Sequence, residues 1–521
     1  MAGDQNGSLS EGESRCFRLR VRRKPAMNPI LSRFEQTVRK LPDKLAAACG
    51  DERYTFAELR SLSARLGTSV KTKQPQPGAV GVLVRRGAAA VAEFLAVVYA
   101  GSFYVPLDPD MPDHKIRTIL DDAGIRVLLG AEEDRPLLER VGFSGAFLTP
   151  ADAGTEEAEP PEAGENTPLY MVYTSGSTGK PKGVLKSHGA VLSFIDAFAG
   201  TFGLGSEEIL GNQNPFFFDA SAKDLYLMAL VGATMEIIPS EKFIFPVRLM
   251  EYLNERRVSY ICWTPTALSI VTQLNTFKKI LPETLRKVFF VGEVFPIKQL
   301  HRWLIALPEL RYVNLYGSSE IAGICCWYEI PRGTLPEQLP MGVPLSNCRV
   351  WLHAEDGFVT EPDVLGEVWI ESPALALCYY GDPEKTEKAF RTETLPDGHT
   401  ARVFKSGDLA RYDREGNLVF SSRSDFQIKH MGRRIELGEI EAAADALTEV
   451  QRCCCLYNSA KNRIELFCEL VPGAEADGKR IQHLLRERLS EYMVPSVIHI
   501  LPEMPFNANG KIDRTRLKDS M

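Results

Sequence analysis

The chain has 521 residues, a formal net charge of -7, and 44% hydrophobic and 25% charged residues. That composition is ordinary for a soluble globular protein and leaves room for two to four domains of roughly 100–200 residues each. The acidic balance speaks against broad nucleic-acid binding, and no apolar run reaches the roughly 18–20 charge-free residues of a membrane span.

Residues 1–26 read as a disordered extension. MAGDQNGSLSEGES is small and polar, and FRLRVRRK then packs five basic residues into eight. No apolar segment follows the basic stretch, as a secretory signal would require. The most apolar segment, AAAVAEFLAVVYAG at 88–101, carries Glu93 and reads as a buried helix. GAVGVLV, IRVLL, LYMVYT, ATMEIIP, SYICWT, KVFFVG and RYVNLYG read as short buried strands, with helical segments such as HKIRTILDDAG and FPVRLMEYLNERR between them. This alternation predicts βαβ units and mostly parallel sheets. The acidic, Pro/Gly-rich ADAGTEEAEPPEAGENTP (151–168) is a surface connector. After about residue 340 the strands become closely spaced, as in CRVWLHAEDGFV and GEVWIESP, which predicts a β-rich lobe. A second break near Arg423 to Gly432 precedes RIELGEIEAAADAL, read as a new helix. The expected fold class is therefore α/β: a large domain (27–423) of two mostly parallel sheets plus the β-rich lobe, and a small mobile α+β domain (424–521).

The eleven cysteines include no CxxC pair. Cys453, Cys454 and Cys455 are adjacent, so in a strand they alternate faces and cannot form one metal cage. They read as small apolar filler in a reduced, cytoplasmic protein.

TSGSTGKPKG (174–183) follows the strand LYMVYT. Gly176 and Gly179 let backbone N–H groups approach a phosphate closely, Thr174, Ser175, Ser177 and Thr178 bring hydroxyls, and Lys180 and Lys182 bring counter-charge. The spacing is not that of a Walker loop, GxxxxGK[ST].

YTSGSTGKPKGV resembles the signature loop of the adenylate-forming ligases, the superfamily of acyl-CoA synthetases, luciferases and peptide-synthetase adenylation domains. The resemblance runs from Met27 nearly to the C-terminus through YTFAELRSLSARL, AGSFYVPLDP, NLYGSSEIAG, MGVPLSN, GEVWIESPALALCYYGDPEKTEKAF, FKSGDLARY, RSDFQIKHMGRRIELGEIE and NANGKIDR, in the family's order. The last two are most similar to the amino-acid-activating branch, including free-standing D-alanine–carrier protein ligases. The resemblance implies that a carboxylate and ATP give acyl-AMP and pyrophosphate, and that a thiol then takes the acyl group. It implies a catalytic role for Lys511 between carboxylate and α-phosphate, and Glu320 as ligand to Mg²⁺. It further implies that Asn314, Leu315, Tyr316, Gly317, Ser318 and Ser319 line adenine and α-phosphate, with Tyr316 stacked on the base. Asp408 would bind the ribose hydroxyls, with Phe420 and Arg423 beside it, and Asp425 would be the hinge of the small domain. YGSSE and Ser422 depart from the family's usual YGPTE and glycine without altering the charges. No carrier module follows Lys511 in this sequence, so the thiol is expected from a separate phosphopantetheinyl carrier protein or from CoA.

NPFFFDASAKDLY (214–226) bears on the substrate. In amino-acid-activating relatives the aspartate of this motif grips the substrate's α-ammonium; here it is Asp219. By motif offsets the pocket would also take in Ala220, Lys223, Cys262, Phe289, Val291, Leu315, Gly323 and Ile324, with Gly323 opening space. If Asp219 begins a helix, Lys223 at i+4 shares its face. It would then serve as counter-ion to an acidic side chain, pair with Asp219, or snorkel to solvent. A small neutral and an acidic amino acid both remain open. Asp219 counts against a plain acyl- or aryl-CoA ligase, and Lys511, Glu320 and Asp408 count against an inactive nucleotide-binding scaffold.

Overall fold

The structure is a computed structural model and describes residues 28–175, 181–423, 427–506 and 512–521. Two large sheets dominate it. A nine-stranded sheet holds Thr234–Ile237, Tyr260–Trp263, Lys287–Val291 and Arg311–Tyr316 at its parallel centre. A seven-stranded sheet holds Ala79–Leu83, Phe103–Leu107, Val127–Leu129 and Pro168–Thr174. In both sheets antiparallel strands close one or both edges. The apolar runs of the sequence form these strands because both faces are covered by helices, which suits continuous rather than alternating hydrophobicity. Ala89–Tyr99 is the buried helix expected there, and Glu93 is enclosed with it. Burial pushes the Glu93 carboxyl up to about 8.

Arg349–Ala354, Gly357–Val359 and Gly366–Glu371 belong to a third, antiparallel sheet, the expected β-rich lobe. Beyond it, Gln427–His430 and Arg433–Glu436 form a two-stranded hairpin. The helix Leu437–Asp445 and the sheet of Val450–Asn458, Arg463–Leu470 and Val497–Leu501 follow. RIELGEIEAAADAL thus starts as strand rather than helix: Arg433–Glu436 pairs with the hairpin's first arm before the helix begins.

The C-terminal residues are seated on the large sheets by buried charge. Lys115 Nζ lies 2.6 Å from Glu439 Oε1, with both side chains largely enclosed. Gly432 N donates to Glu293 Oε1 at 2.7 Å. No helix among the described residues is long and apolar enough to cross a membrane.

Candidate active site

Pro168–Thr174 and Lys182–Ser187 pair antiparallel, with Thr174 opposite Lys182. Gly176, Ser177, Thr178, Gly179 and Lys180 lie outside the described residues, as do Asp425 and Lys511. Thr174 and Ser175 line a cavity of about 160 Å³ between the sheets, the β-rich lobe and the C-terminal hairpin.

Of the residues expected here, Thr174, Ser175, Asp219, Ala220, Val291, Gly317, Ser318, Ser319, Gly323, Ile324, Asp408 and Arg423 line this cavity. Asp219 opens the helix Asp219–Val231. Gly323 has a φ of 127°, and a Cβ there would stand 2.6 Å from the Phe194 ring, so the position requires glycine. Asp408 accepts from the Tyr316 hydroxyl on one oxygen and from Arg423 on the other. The hydroxyls of Thr174 and Ser318 and the Nε of Arg434 are buried with no partner among the described residues. Buried polar groups are normally paired, so these three fit a polar ligand such as a nucleotide phosphate.

Other expected residues stand behind the wall rather than on it. Phe289 is fully buried against Phe198, Phe202 and Tyr260. Leu315 is buried in the same core. Asn314 donates to the Pro340 carbonyl at 2.7 Å, and Phe420 packs at the core's edge. Tyr316 does not present an open ring in this arrangement, because Lys429 Nζ lies 5.1 Å from its centroid.

Lys223 differs most from expectation. It neither faces the cavity nor pairs with Asp219. Its ammonium pairs with the next residue, Asp224, and stands over the rings of Tyr260 and Phe198. Asp224 in turn accepts from Asn212 Nδ2 at 3.0 Å. Burial alone would lower the Lys223 ammonium, but Asp224 and Cys262 together outweigh it and hold the group above its usual value. Asp219 has partners that the sequence did not announce: Lys186 Nζ at 2.9 and 3.1 Å and the Tyr170 hydroxyl at 2.8 Å. The available signal was a lone lysine in the apolar strand GVLKS.

Glu320 is fully buried and accepts from Arg434 at 2.7 and 2.8 Å and from the Tyr379 hydroxyl at 2.7 Å. Lys182 Nζ stands 3.7 Å away. Burial would raise this carboxyl, yet Arg434 and Lys182 hold it well below the usual range. Burial, helped by Arg434, brings Lys182 down to about 8. With three acceptor positions used and two cations beside it, Glu320 does not fit a Mg²⁺ ion in this arrangement. Arg434, which takes up both Glu320 oxygens, comes from the C-terminal hairpin.

A second cavity, of about 830 Å³, borders the first; Phe218, Thr264, Gly432 and Tyr492 line both. Arg433 is stacked beside it between Tyr492 and Phe218.

The chain resembles known proteins along most of its length. Residues 34–380 match the family model "AMP-binding enzyme", and residues 439–511 match "AMP-binding enzyme C-terminal domain". Tyrocidine synthase 1 of Brevibacillus parabrevis is 28% identical over 93% of this chain, which spans less than half, 44%, of that protein. A D-alanine–D-alanyl carrier protein ligase of Bacillus cytotoxicus is 29% identical over 94% of this chain and 98% of its own length. The crystal structure of IdnL1 superposes with a TM-score of 0.77 at 28% identity, covering 91% of this chain and 98% of that one. The chain belongs to the AMP-binding enzymes, the adenylate-forming ligases.

Proposed function

We propose that the protein activates an amino acid with ATP as the aminoacyl-adenylate, releases pyrophosphate, and passes the acyl group to the phosphopantetheine thiol of a separate carrier protein. The observation that carries this reading is Asp219, a carboxylate at the first turn of its helix that lines the same cavity as Gly323 and Ile324. An acid at that place favours a substrate that brings an amine. The orphaned hydroxyls of Thr174 and Ser318 suit the phosphate, and Asp408, still able to accept further hydrogen bonds, suits the ribose. The full-length match to a carrier protein ligase supports transfer to a carrier.

The first step brings two anions together, so the protein's work is neutralisation and positioning. Lys511 would bridge the substrate carboxylate and the α-phosphate. Thr174 and Ser318 would hold phosphate oxygens, and Asp408 with Arg423 would fix the ribose. The larger cavity would admit the thiol past Phe218 and Gly432. For that sequence of events residues 424–521 would pivot at Asp425, since Lys511 and the hairpin carrying Arg434 serve different steps.

Trapping the adenylate with hydroxylamine over both enantiomers of the common amino acids tests this. Hydroxamate should form with an amino acid, and Lys511→Ala should lower its rate by about 10²–10³-fold, the usual effect of losing one transition-state charge contact. A Lys511→Ala variant equal to wild type would point to a nucleotide-binding scaffold instead.

A further inference from the structure

We propose that Lys186 sets substrate specificity through Asp219, weakening the demand for an α-ammonium so that 2-hydroxy acids with the same side chain are accepted beside amino acids. The proposal rests on the amino-acid reading above and extends its substrate class to the matching 2-hydroxy acids.

Lys186 lies in the strand Lys182–Ser187 and is completely buried. Its Nζ reaches both oxygens of Asp219, at 2.9 and 3.1 Å, and stands 5.2 Å from the Tyr170 ring centroid. Tyr170 also donates to Asp219 Oδ1. Asp219 lines the cavity whereas Lys186 does not. The substrate therefore meets a carboxylate whose charge is already balanced from behind by an internal ammonium.

A carboxylate has about four acceptor positions. Three are taken, two of them on Oδ1, which leaves one on Oδ2 for the substrate. A hydroxyl and an ammonium can each fill that one position. A buried carboxylate without a counter-ion would select the ammonium strongly, because only a cation relieves the uncompensated charge. With Lys186 in place that relief is already supplied, and a substrate ammonium adds a second positive charge nearby. Specificity is a difference of two affinities, and here Asp219 still favours an ammonium but by less than an unpaired carboxylate would. Lys223–Asp224 is the built-in control, being a buried lysine–aspartate pair that does not line the cavity.

The test is ATP–pyrophosphate exchange with a series of amino acids, their 2-hydroxy analogues and the matching unsubstituted acids. Wild type should use the best amino acid and its 2-hydroxy analogue with kcat/KM values within about tenfold of each other. Lys186→Met removes the pair, and Lys186→Gln keeps a hydrogen bond without the charge. Both should move the ratio toward the amino acid by on the order of tenfold or more, through KM, whereas Lys223→Met should leave it unchanged. Wild type rejecting the hydroxy acid by more than about a thousandfold would overturn the proposal without any variant. So would an unchanged ratio in folded Lys186 variants. Amino-acid exchange with a fixed ratio removes only the role of Lys186. Exchange confined to unsubstituted acids, in wild type and in Lys186→Met alike, removes the amino-acid reading along with it.

Discussion

Lys223 is 4% exposed and is the cation that balances Asp224. Replacing it by methionine preserves volume but leaves Asp224 with Asn212 as its remaining polar partner. Breaking a buried pair in this way costs about 3–5 kcal/mol. Urea unfolding of Lys223→Met should show that loss, while the ranking of substrates stays as in wild type. A stable variant that loses activity toward acidic substrates alone would return Lys223 to the pocket. His188 offers a second test. Burial holds its imidazole down at about 3 against the usual 6.5, and its Nδ1 has no partner among the described residues. Between those values the unfolded chain binds a proton that the folded chain does not, so stability rises with pH across this window and falls on acidification. The loss should approach 1 kcal/mol per pH unit between about pH 6 and 4. Urea unfolding at several pH values should show a shallower dependence for His188→Leu than for wild type; parallel curves would contradict the assignment.

The hairpin of Gln427–His430 and Arg433–Glu436 delivers Lys429, Gly432 and Arg434 to the cavity. Arg434→Ala would leave Glu320 buried with Tyr379 and, at 3.7 Å, Lys182. Losing about 3 kcal/mol of that seat corresponds to roughly 100-fold more frequent opening. Amide exchange in the hairpin should accelerate accordingly, and unchanged protection would show that other contacts hold it. The strands of both large sheets were legible in the sequence because runs such as KVFFV and YICW carry their own hydrophobic signal. Arg433–Glu436 was not legible, since its strand depends on a partner that local helix propensity does not register. Lys223 was misplaced for a related reason. The helix Asp219–Val231 is buried nearly all round, so i,i+4 spacing did not define one pocket-facing side. The lining set from Thr174 to Arg423 was legible because its residues are carried by contiguous motifs. Lys186 and Tyr170 were not, since each acts across the sheet interior on a residue far away in sequence.

At the scale of the molecule, two sheets, a β-rich lobe and the C-terminal residues meet at one cavity, and buried ion pairs at Lys115–Glu439 and Arg434–Glu320 hold the last of these in place. Lys115→Ala should expose this seat: Glu439, already raised by burial, loses its cation. Limited proteolysis should then cleave between the large sheets and residues 427–521 faster than in wild type, and an unchanged cleavage rate would mean that the pair contributes little. The same cavity brings the acid of Asp219 and the polar groups of Thr174, Ser318 and Asp408 within one enclosure. The central claim, ATP-dependent activation of an amino acid, is tested most directly by substrate-dependent ATP–pyrophosphate exchange over the common amino acids of both hands and a set of fatty and aryl acids. Exchange is expected with at least one amino acid, and exchange with fatty or aryl acids alone would contradict amino-acid activation.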